Sequence, residues 1–204
     1  GYDSNRLMMT DASPDLQRNF VALKSELLQS GVVTAVTESS SPVTNNTNYN
    51  SILEWPGQTP GEDVGVATVG IADADYFPTM GMQLLQGRNF KGDIDSFNVI
   101  VNESAVAAMR LEDPVNKIIR YGGSYQPVRI IGIIKDALMS SPFSKPQATV
   151  FFYNSNRSKV VTYRLNTTMN LQQAITTLTG IFTKYNPSFP YMYNFIDDAY
   201  AAKF

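Results

Sequence analysis

The sequence predicts an α+β fold, and three observations lead to this prediction. Apolar residues at helical spacing followed by a short apolar run predict helix then strand over residues 14–37. Residues 149–196 predict strand, helix and strand in that order. Between these two ends, short β-type runs are separated by Pro-Gly turns. A mixed sheet built from both ends of the chain, with the middle inserted into it, accounts for all three.

Ser13 and Pro14 begin the first predicted helix, because a hydroxyl can cap free N–H groups and proline is tolerated at the first helical position. Apolar residues then recur on one helical face: Leu16, Phe20, Leu23 and Leu27. Gly31 supplies the left-handed exit from this helix, and a short strand follows over residues 32–36. Residues 39–49 are rich in Ser, Thr, Asn and Pro, which is typical of a linker.

The middle of the chain predicts short strands and one capped helix. Strands are expected over residues 52–55, 64–71 and 99–101, because apolar and β-branched residues cluster there between turn signals. Asn102 can accept hydrogen bonds from the first turn of a helix over residues 103–109.

Two hairpins are expected further along the chain. Residues 118–134 predict one hairpin whose turn contains Gly122 and Gly123, since glycine adopts positive φ without strain. Residues 149–153 and 159–165 predict a second hairpin around a polar tip.

The last predicted helix begins near Asn170 and ends at Asn186, before Pro187. Its apolar stripe contains Leu171, Ala174, Ile175, Leu178, Ile181 and Phe182. Residues 191–195 alternate with a period of two and predict a closing strand.

Composition argues against several classes of function. The 204 residues carry a net charge of −2 without a basic cluster, so we expect no nucleic-acid partner. Cysteine and histidine are both absent, which removes thiolate nucleophiles and the commonest general base and metal ligand. We therefore expect no enzyme activity, no catalytic residue, no metal site and no cofactor. No run approaches the roughly 20 apolar residues of a membrane span, and the first residues lack a signal peptide. We expect an excised piece of a larger protein.

Two carboxylate pairs are candidates for acid–base dyads: Asp73 with Asp75, and Asp197 with Asp198. Without a supporting constellation, solvated positions in turns and at strand ends are the favoured interpretation.

Two acidic pairs are candidates for calcium binding: Glu62 with Asp63, and Asp93 with Asp95. Neither stretch has the spacing or the terminal glutamate of an EF-hand loop, which argues against a calcium site. Residues 122–124 contain a glycine pair but lack the features of a phosphate-binding loop, which favours a hairpin turn.

Arg88 and Trp55 are the two candidates for contact with a partner. The guanidinium of Arg88 could meet a partner's carboxylate, although bracing of local carbonyls or of an acidic loop is favoured. Trp55 lies beside a Pro-Gly turn, where buried packing is favoured over partner contact.

The segment over residues 75–90, DYFPTMGMQLLQGRNF, closely resembles the signature D-Y-F-x-x-(M/L)-G-(I/M)-x-L-L-x-G-R-x-F of the MacB-like periplasmic core domain. That family forms the extracytoplasmic domain of FtsX/MacB-type ABC transporter permeases. Residues 99–105 (VIVNESA), 113–119 (DPVNKII) and 128–136 (VRIIGIIKD) are similar to further motifs of the family, in the family's order. Residues 191–198 resemble, more weakly, its closing segment.

Asn116 stands where the family's turn usually has glycine; asparagine is the next-best residue in a left-handed turn, so we expect the turn to be kept. The motif positions expected to be structural are Tyr76, Phe77, Gly81, Gly87, Arg88, Phe90, Asn102, Glu103, Pro114, Gly132 and Asp136.

The resemblance implies a two-lobed domain. A porter-like lobe of mixed α/β structure near the membrane would comprise residues 1–41 and 146–204, and a β-rich sabre-like lobe would be inserted over 42–145. The resemblance also implies that the ends at Asp3 and Ala199 lie close together on one face of the porter-like lobe.

The function implied is that of a non-catalytic periplasmic domain of a bacterial inner-membrane permease. It would couple cytoplasmic ATP hydrolysis to movement outside the membrane, a role called mechanotransmission, for export or for control of an envelope partner. The implied partners are the permease's own transmembrane helices, a cytoplasmic ABC ATPase, a second permease copy in a homodimer, and a periplasmic adaptor or substrate. The alternative is a stand-alone periplasmic module that binds a peptide or a lipid between its lobes.

Overall fold

The computed structural model describes residues 6–40, 49–122, 124, 126–136, 146–156 and 158–196. In chain order, the strands and helices are β1 (Leu7–Asp11), α1 (Pro14–Arg18), α2 (Phe20–Gln29), β2 (Val33–Ser39), β3 (Tyr49–Glu54), β4 (Val64–Ile71), α3 (Tyr76–Met80), β5 (Leu84–Gly87), β6 (Asn98–Asn102), α4 (Glu103–Met109), β7 (Ile118–Tyr121), β8 (Val128–Ile134), β9 (Thr149–Tyr153), β10 (Val160–Leu165), α5 (Leu171–Tyr185) and β11 (Asn194–Phe195). A single 3₁₀ turn, Asp93–Asp95, precedes β6.

Strands from the two ends of the chain form a four-stranded end sheet in the order β11-β1-β10-β2. All three pairings in it are antiparallel. Helices α1, α2 and α5 cover this sheet, and their apolar stripes join it in one core that includes Met8, Leu16, Leu23, Leu27, Val36, Val161, Tyr163, Leu178 and Phe182. The predicted stripes of the first and last helices therefore face the end sheet, except for Leu171, which is 44% exposed.

The remaining strands close into a barrel. The pairings run β4–β3, β3–β7, β7–β8, β8–β6, β6–β9 and β9–β4, which makes a ring of six strands. Strand β5 pairs with the end of β8 beside the ring. Apolar side chains from all six strands fill the barrel, among them Ile52, Val66, Val99, Val101, Ile119, Val128, Ile130 and Val150.

The end sheet and the barrel join at two places. Strand β2 meets β4 at the single pair Ser39 and Ile71. A third apolar core then packs α3 between the end strands and the outside of the barrel.

Several predictions about local structure are confirmed. Ser13 caps α1 and Asn102 caps α4 through their side chains, Gly31 takes a φ of 74°, and α5 begins directly after Asn170. Strands β7 and β8 pair as a hairpin, although Gly123 lies outside the described residues. The first helix is interrupted at Asn19, which separates α1 from α2.

The predicted hairpin of residues 149–153 with 159–165 is wrong. Strand β9 pairs with β4 and β6 in the barrel, whereas β10 pairs with β1 and β2 in the end sheet. Strand β1, which lies between β10 and β11, was also not predicted from the sequence. Because β1 separates those two strands, the end sheet is antiparallel rather than mixed, and the parallel pairs occur in the barrel.

The lobe boundaries stay a prediction, but the pairing bears on the one placed at residue 146. Strand β9 follows that boundary in sequence and yet completes the barrel. Residues 154–159 then lead from β9 to β10 in the end sheet.

Candidate functional site

The short helix α3 lies at the centre of the family-like signature. Its last residue is followed by Gly81, which takes a φ of 70° and donates its N–H to the carbonyls of Phe77 and Pro78. Tyr76, Phe77 and Met80 are buried, so one and a half turns of helix present three large side chains to the core. Glycine is required here because the chain must turn back immediately after the helix.

Aromatic rings connect α3 to the barrel wall. The ring of Phe77 meets Phe151 of β9 edge-on, with centroids 5.0 Å apart, and stacks near Phe90 at 6.4 Å. Tyr76 packs edge-on against Phe77 at 5.4 Å. Burial raises the pKa of Tyr76 far above its usual range, and its hydroxyl has no hydrogen-bond partner within the described residues. This ring is held by packing alone.

The other side of this core belongs to the end strands. Leu7 of β1 and Ile196, which follows β11, are both fully buried in the same cluster as α3. Arg164 of β10 donates from Nη2 to the carbonyl of Thr79 at 2.8 Å. We define this region as the junction core: Leu7, Tyr76, Phe77, Met80, Phe90, Phe151 and Ile196.

Gly87 and Gly132 belong to two separate motifs, and one structural feature accounts for both glycines. They face each other as cross-strand partners in β5 and β8. A Cβ atom at Gly87, whose φ is 74°, would lie 2.0 Å from the carbonyl oxygen of Ile131. A Cβ at Gly132 would lie 2.7 Å from the Arg88 carbonyl oxygen. The two backbones approach more closely than any side chain would allow.

Arg88 braces the acidic turn that follows it. Its guanidinium contacts both carboxylate oxygens of Asp95, at 2.8 and 3.0 Å, and also the Asn89 carbonyl. Asp95 is fully buried and accepts further hydrogen bonds from the Lys91 backbone and the Asn98 amide. The Arg88 hydrogen bonds, with those from Lys91 and Asn98, lower the pKa of Asp95 to about 2, although burial acts in the opposite direction. Only the part of Arg88 not engaged with Asp95 faces solvent.

A second set of motif residues locks α4 to the barrel. Asn102 Oδ1 accepts from the Ala105 and Thr149 backbones, which caps α4 and holds β9 beside it. Glu103 accepts from the backbone N–H of Asp136, and Asp136 accepts in return from the backbone and hydroxyl of Ser104. This reciprocal clasp fixes the end of β8 to the start of α4.

Pro114 and Asn116 shape the turn before β7. Asn116 takes a φ of 75°, as predicted for a residue in glycine's place. Its backbone N–H donates to the Ile130 carbonyl, and the Pro114 carbonyl accepts from Lys117.

Trp55 lies in the barrel core and is only 6% exposed. Its indole N–H has no partner among the described residues. The structure therefore offers little Trp55 surface to a partner, and contact there stays a prediction.

Four of the candidate acidic residues, Asp73, Asp75, Asp95 and Glu62, pair with cations of this chain. The ammonium of Lys24 contacts Asp73 at 3.0 Å and Asp75 at 2.5 Å. Glu62 pairs with Arg110, and its hydrogen bonds lower the Glu62 pKa. Asp197 and Asp198 lie outside the described residues. In the part of the chain that the structure describes, no group of three or more carboxylates is placed to hold a metal ion.

Sequence reasoning missed two members of the junction core, Leu7 and Ile196, and the Arg164 side chain that bonds to the Thr79 carbonyl. Leu7 and Arg164 belong to no motif, Ile196 lies only in the weakly matching closing segment, and the apolar runs around Leu7 and Ile196 are too short to show a period. Only the three-dimensional structure brings them to α3.

Of the helices that the structure describes, none combines the length and the apolar character required to cross a bilayer.

Comparison with known proteins agrees with the geometry. A family model for the MacB-like periplasmic core domain matches residues 3–188. The crystal structure of the periplasmic region of MacB from Actinobacillus actinomycetemcomitans is similar, with a TM-score of 0.63 and 17% identity, over 98% of this chain and 93% of that one. The extracellular domain of the noncanonic ABC-type transporter YknZ from Gram-positive bacteria is also similar, with a TM-score of 0.58 and 15% identity, over 92% of this chain and 97% of that one.

No curated protein matches the sequence. At these identities the two structural likenesses show the fold alone. The family model, however, covers most of the chain, and it confirms the resemblance carried by the motifs. The chain belongs to the MacB-like periplasmic core domain family and is a periplasmic domain of a MacB/FtsX-like ABC transporter permease, an inner-membrane protein.

Proposed function

We propose that this domain is a mechanotransmission element, which converts movement of the permease's transmembrane helices into movement of the barrel. Permeases of this family pair with cytoplasmic ATPases. The proposal assigns no chemistry to the domain, and ATP hydrolysis takes place on the cytoplasmic ATPase.

One observation carries the proposal: the two end strands are direct neighbours and both contact the junction core. Met8 pairs with Phe195 and Met9 with Asn194, so the start of β1 lies beside the end of β11. Asp3 and Ala199, the ends named in the tethering model, lie outside the described residues. Leu7 and Ile196, which lie near those ends in sequence, belong to one cluster, and such proximity is what two tethers to a membrane would require.

The path from these tethers to the barrel is short and densely packed. Leu7 and Ile196 contact the cluster that contains Tyr76 and Phe77, and Phe77 contacts the barrel strand β9. Packed apolar cores transmit displacement because they have little free volume. A shift of β1 or β11 would therefore be passed through α3 to the barrel.

The proposed lobes follow from the pairing. The porter-like lobe is the end sheet with its helices, and the sabre-like lobe is the barrel. We place the second boundary within residues 154–159, after β9, instead of at residue 146. The alternative of a stand-alone binding module draws no support from the family assignment.

Distance measurement between spin labels tests this proposal. This chain has no cysteine, so introduced cysteines label it at chosen sites once any cysteines elsewhere in the full-length permease and its ATPase are replaced. Val21 in α2 and Ile94 beside the barrel are 83% and 82% exposed, which makes cysteine there harmless to packing. We expect the Val21–Ile94 distance distribution to change between the nucleotide-free state and an ATP-trapped state.

A matched pair within the porter-like lobe, Val21 with Phe189, controls for rotation of labels and should keep one distribution. An unchanged Val21–Ile94 distribution in a permease that hydrolyses ATP and transports would overturn mechanotransmission by lobe movement. A second permease copy in a homodimer and a periplasmic adaptor or substrate remain proposed partners.

A further inference from the structure

A cleft of about 910 Å³ opens at one end of the barrel. It lies where β3, β6 and β8 begin and where β7 and β9 end. Below it the barrel is filled with apolar side chains, so the cleft is a mouth and not a channel. Its volume is within the range of about 300–1,000 Å³ that is usual for small-ligand sites, which often occur at barrel mouths.

Aromatic rings line this mouth, and two of them are largely exposed. Tyr49 and Phe97 both line the cleft and are 63% and 62% exposed. Phe152 and Tyr153 extend the aromatic lining along β9. Large exposed aromatic side chains grouped on one concave surface are typical of binding sites.

Uncommitted side-chain amides surround these rings. The side-chain amides of Asn50, Gln126 and Asn156 line the cleft and make no hydrogen bond to any other described residue. Each amide offers two N–H donors and one oxygen acceptor. The hydroxyl of Ser155 donates to Asp93 at 2.9 Å, which joins the two loops on one side of the mouth.

Among the described residues that line the cleft, Asp93 is the only one with a charged side chain, and there is no lysine or arginine. A phosphate or carboxylate ligand would find no cation among these residues, and an apolar chain would leave the amides without partners. A neutral molecule with many hydroxyl groups and apolar C–H faces satisfies both the amides and the rings.

We propose that this cleft binds a neutral oligosaccharide, with C–H faces of its sugar rings against Tyr49 and Phe97 and its hydroxyls on the surrounding amides. The cleft borders the junction core at Tyr153, whose ring lies 5.7 Å from that of Phe90, but the proposal does not depend on mechanotransmission. It would place a glycan-recognition surface at one end of the barrel.

Titration of the 204-residue chain by calorimetry and by NMR tests the proposal. The probes are neutral tetrasaccharides of N-acetylglucosamine, glucose and mannose, together with a tetramer of galacturonic acid and an uncharged octapeptide. We expect at least one neutral tetrasaccharide to bind with a dissociation constant of about 1 mM or tighter. Phe97→Ala should weaken this binding about tenfold or more, and Asn156→Ala should weaken it less.

Phe189→Ala is the matched control, because Phe189 is a similarly exposed phenylalanine (53%) on the end-sheet side of the molecule. It should leave binding unchanged. Absence of binding across the neutral panel overturns the proposal, as does binding that Phe97→Ala leaves intact. Stronger binding of the galacturonate tetramer or the peptide would contradict the charge argument and assign the cleft to another ligand class.

Discussion

Glu38 gives the most quantitative prediction, because a carboxyl group is buried where the end sheet meets the barrel. It lies near the end of β2, is 7% exposed, and its carbonyl accepts from the Ala72 backbone beyond β4. Its Oε2 has no hydrogen-bond partner among the described residues. Lys24 lies nearby, but its ammonium already contacts Asp73 and Asp75.

Burial raises the pKa of Glu38 to about 7 from the ordinary value of 4.5, and the charge of Asp73 adds to this. The Ser158 hydroxyl and Lys24 act in the opposite direction without cancelling it. A raised folded-state pKa means that the folded protein binds the proton more tightly than the unfolded chain. The stability contributed by this group is therefore fully present below pH 4.5 and is lost as pH rises through about 7.

The magnitude follows from the two pKa values. Each pKa difference of one corresponds to about 1.4 kcal/mol, so the interval from 4.5 to about 7 corresponds to about 3 kcal/mol. Glu38→Gln removes the charge and keeps the size of the side chain. The variant should gain stability relative to the natural protein as pH rises from 4.5 to 8, by up to about 3 kcal/mol.

Urea unfolding followed by circular dichroism at pH values between 4.5 and 8 measures this difference. Glu54→Gln makes the same change of net charge at a side chain that is 63% exposed, and it should show no comparable gain with pH. A difference between Glu38→Gln and the natural protein that stays flat within about 0.5 kcal/mol over this range would refute the argument from burial.

Three further changes test other parts of the structure. Gly87→Ala should lower the free energy of unfolding by about 3 kcal/mol or more, because the added Cβ would overlap the Ile131 carbonyl. The control Gly61→Ala places its Cβ in open space and should lower the free energy of unfolding by only about 1 kcal/mol. Equal urea midpoints for the two variants would contradict this. Stability should fall by about 2 kcal/mol as pH drops from about 4 through 2, because the pKa of Asp95 is lowered to about 2 from 3.8, and Asp95→Asn should abolish that step in acid-unfolding curves. Asn170→Ala should cost about 1 kcal/mol in thermal or urea unfolding, because it removes the cap of α5; an unchanged midpoint would show that the cap is dispensable.

Local features of the fold were predictable because their causes are local. A capping side chain, a helical stripe and a glycine exit are set by residues within one or two turns, which is why the start of α5 near Asn170 and the α4 cap at Asn102 were predicted. The left-handed Asn116 follows from the same kind of argument. Strand partners are different, because pairing depends on residues that are distant in sequence.

Strands β9 and β10 show the limit clearly. They are separated by a short polar segment, which is the usual signal of a hairpin, and yet they belong to the barrel and to the end sheet respectively. Strand β1 was missed because it is only five residues long and has buried side chains on both faces, so it lacks the alternation that marks a half-buried strand. The closed ring could not be predicted either, since the parallel pair β4–β9 joins strands about 80 residues apart.

The positions of the motif residues indicate what the family signature specifies. Gly87 and Gly132 permit a close backbone approach, Arg88 locks the turn at Asp95, and Glu103 with Asp136 clasps α4. None of these contacts leaves a reactive group facing a cavity. Each instead removes freedom from a connection on the barrel side of the junction core, and a stiff connection loses less displacement than a loose one. We infer that the signature encodes a rigid joint between the barrel and the elements that follow its strands.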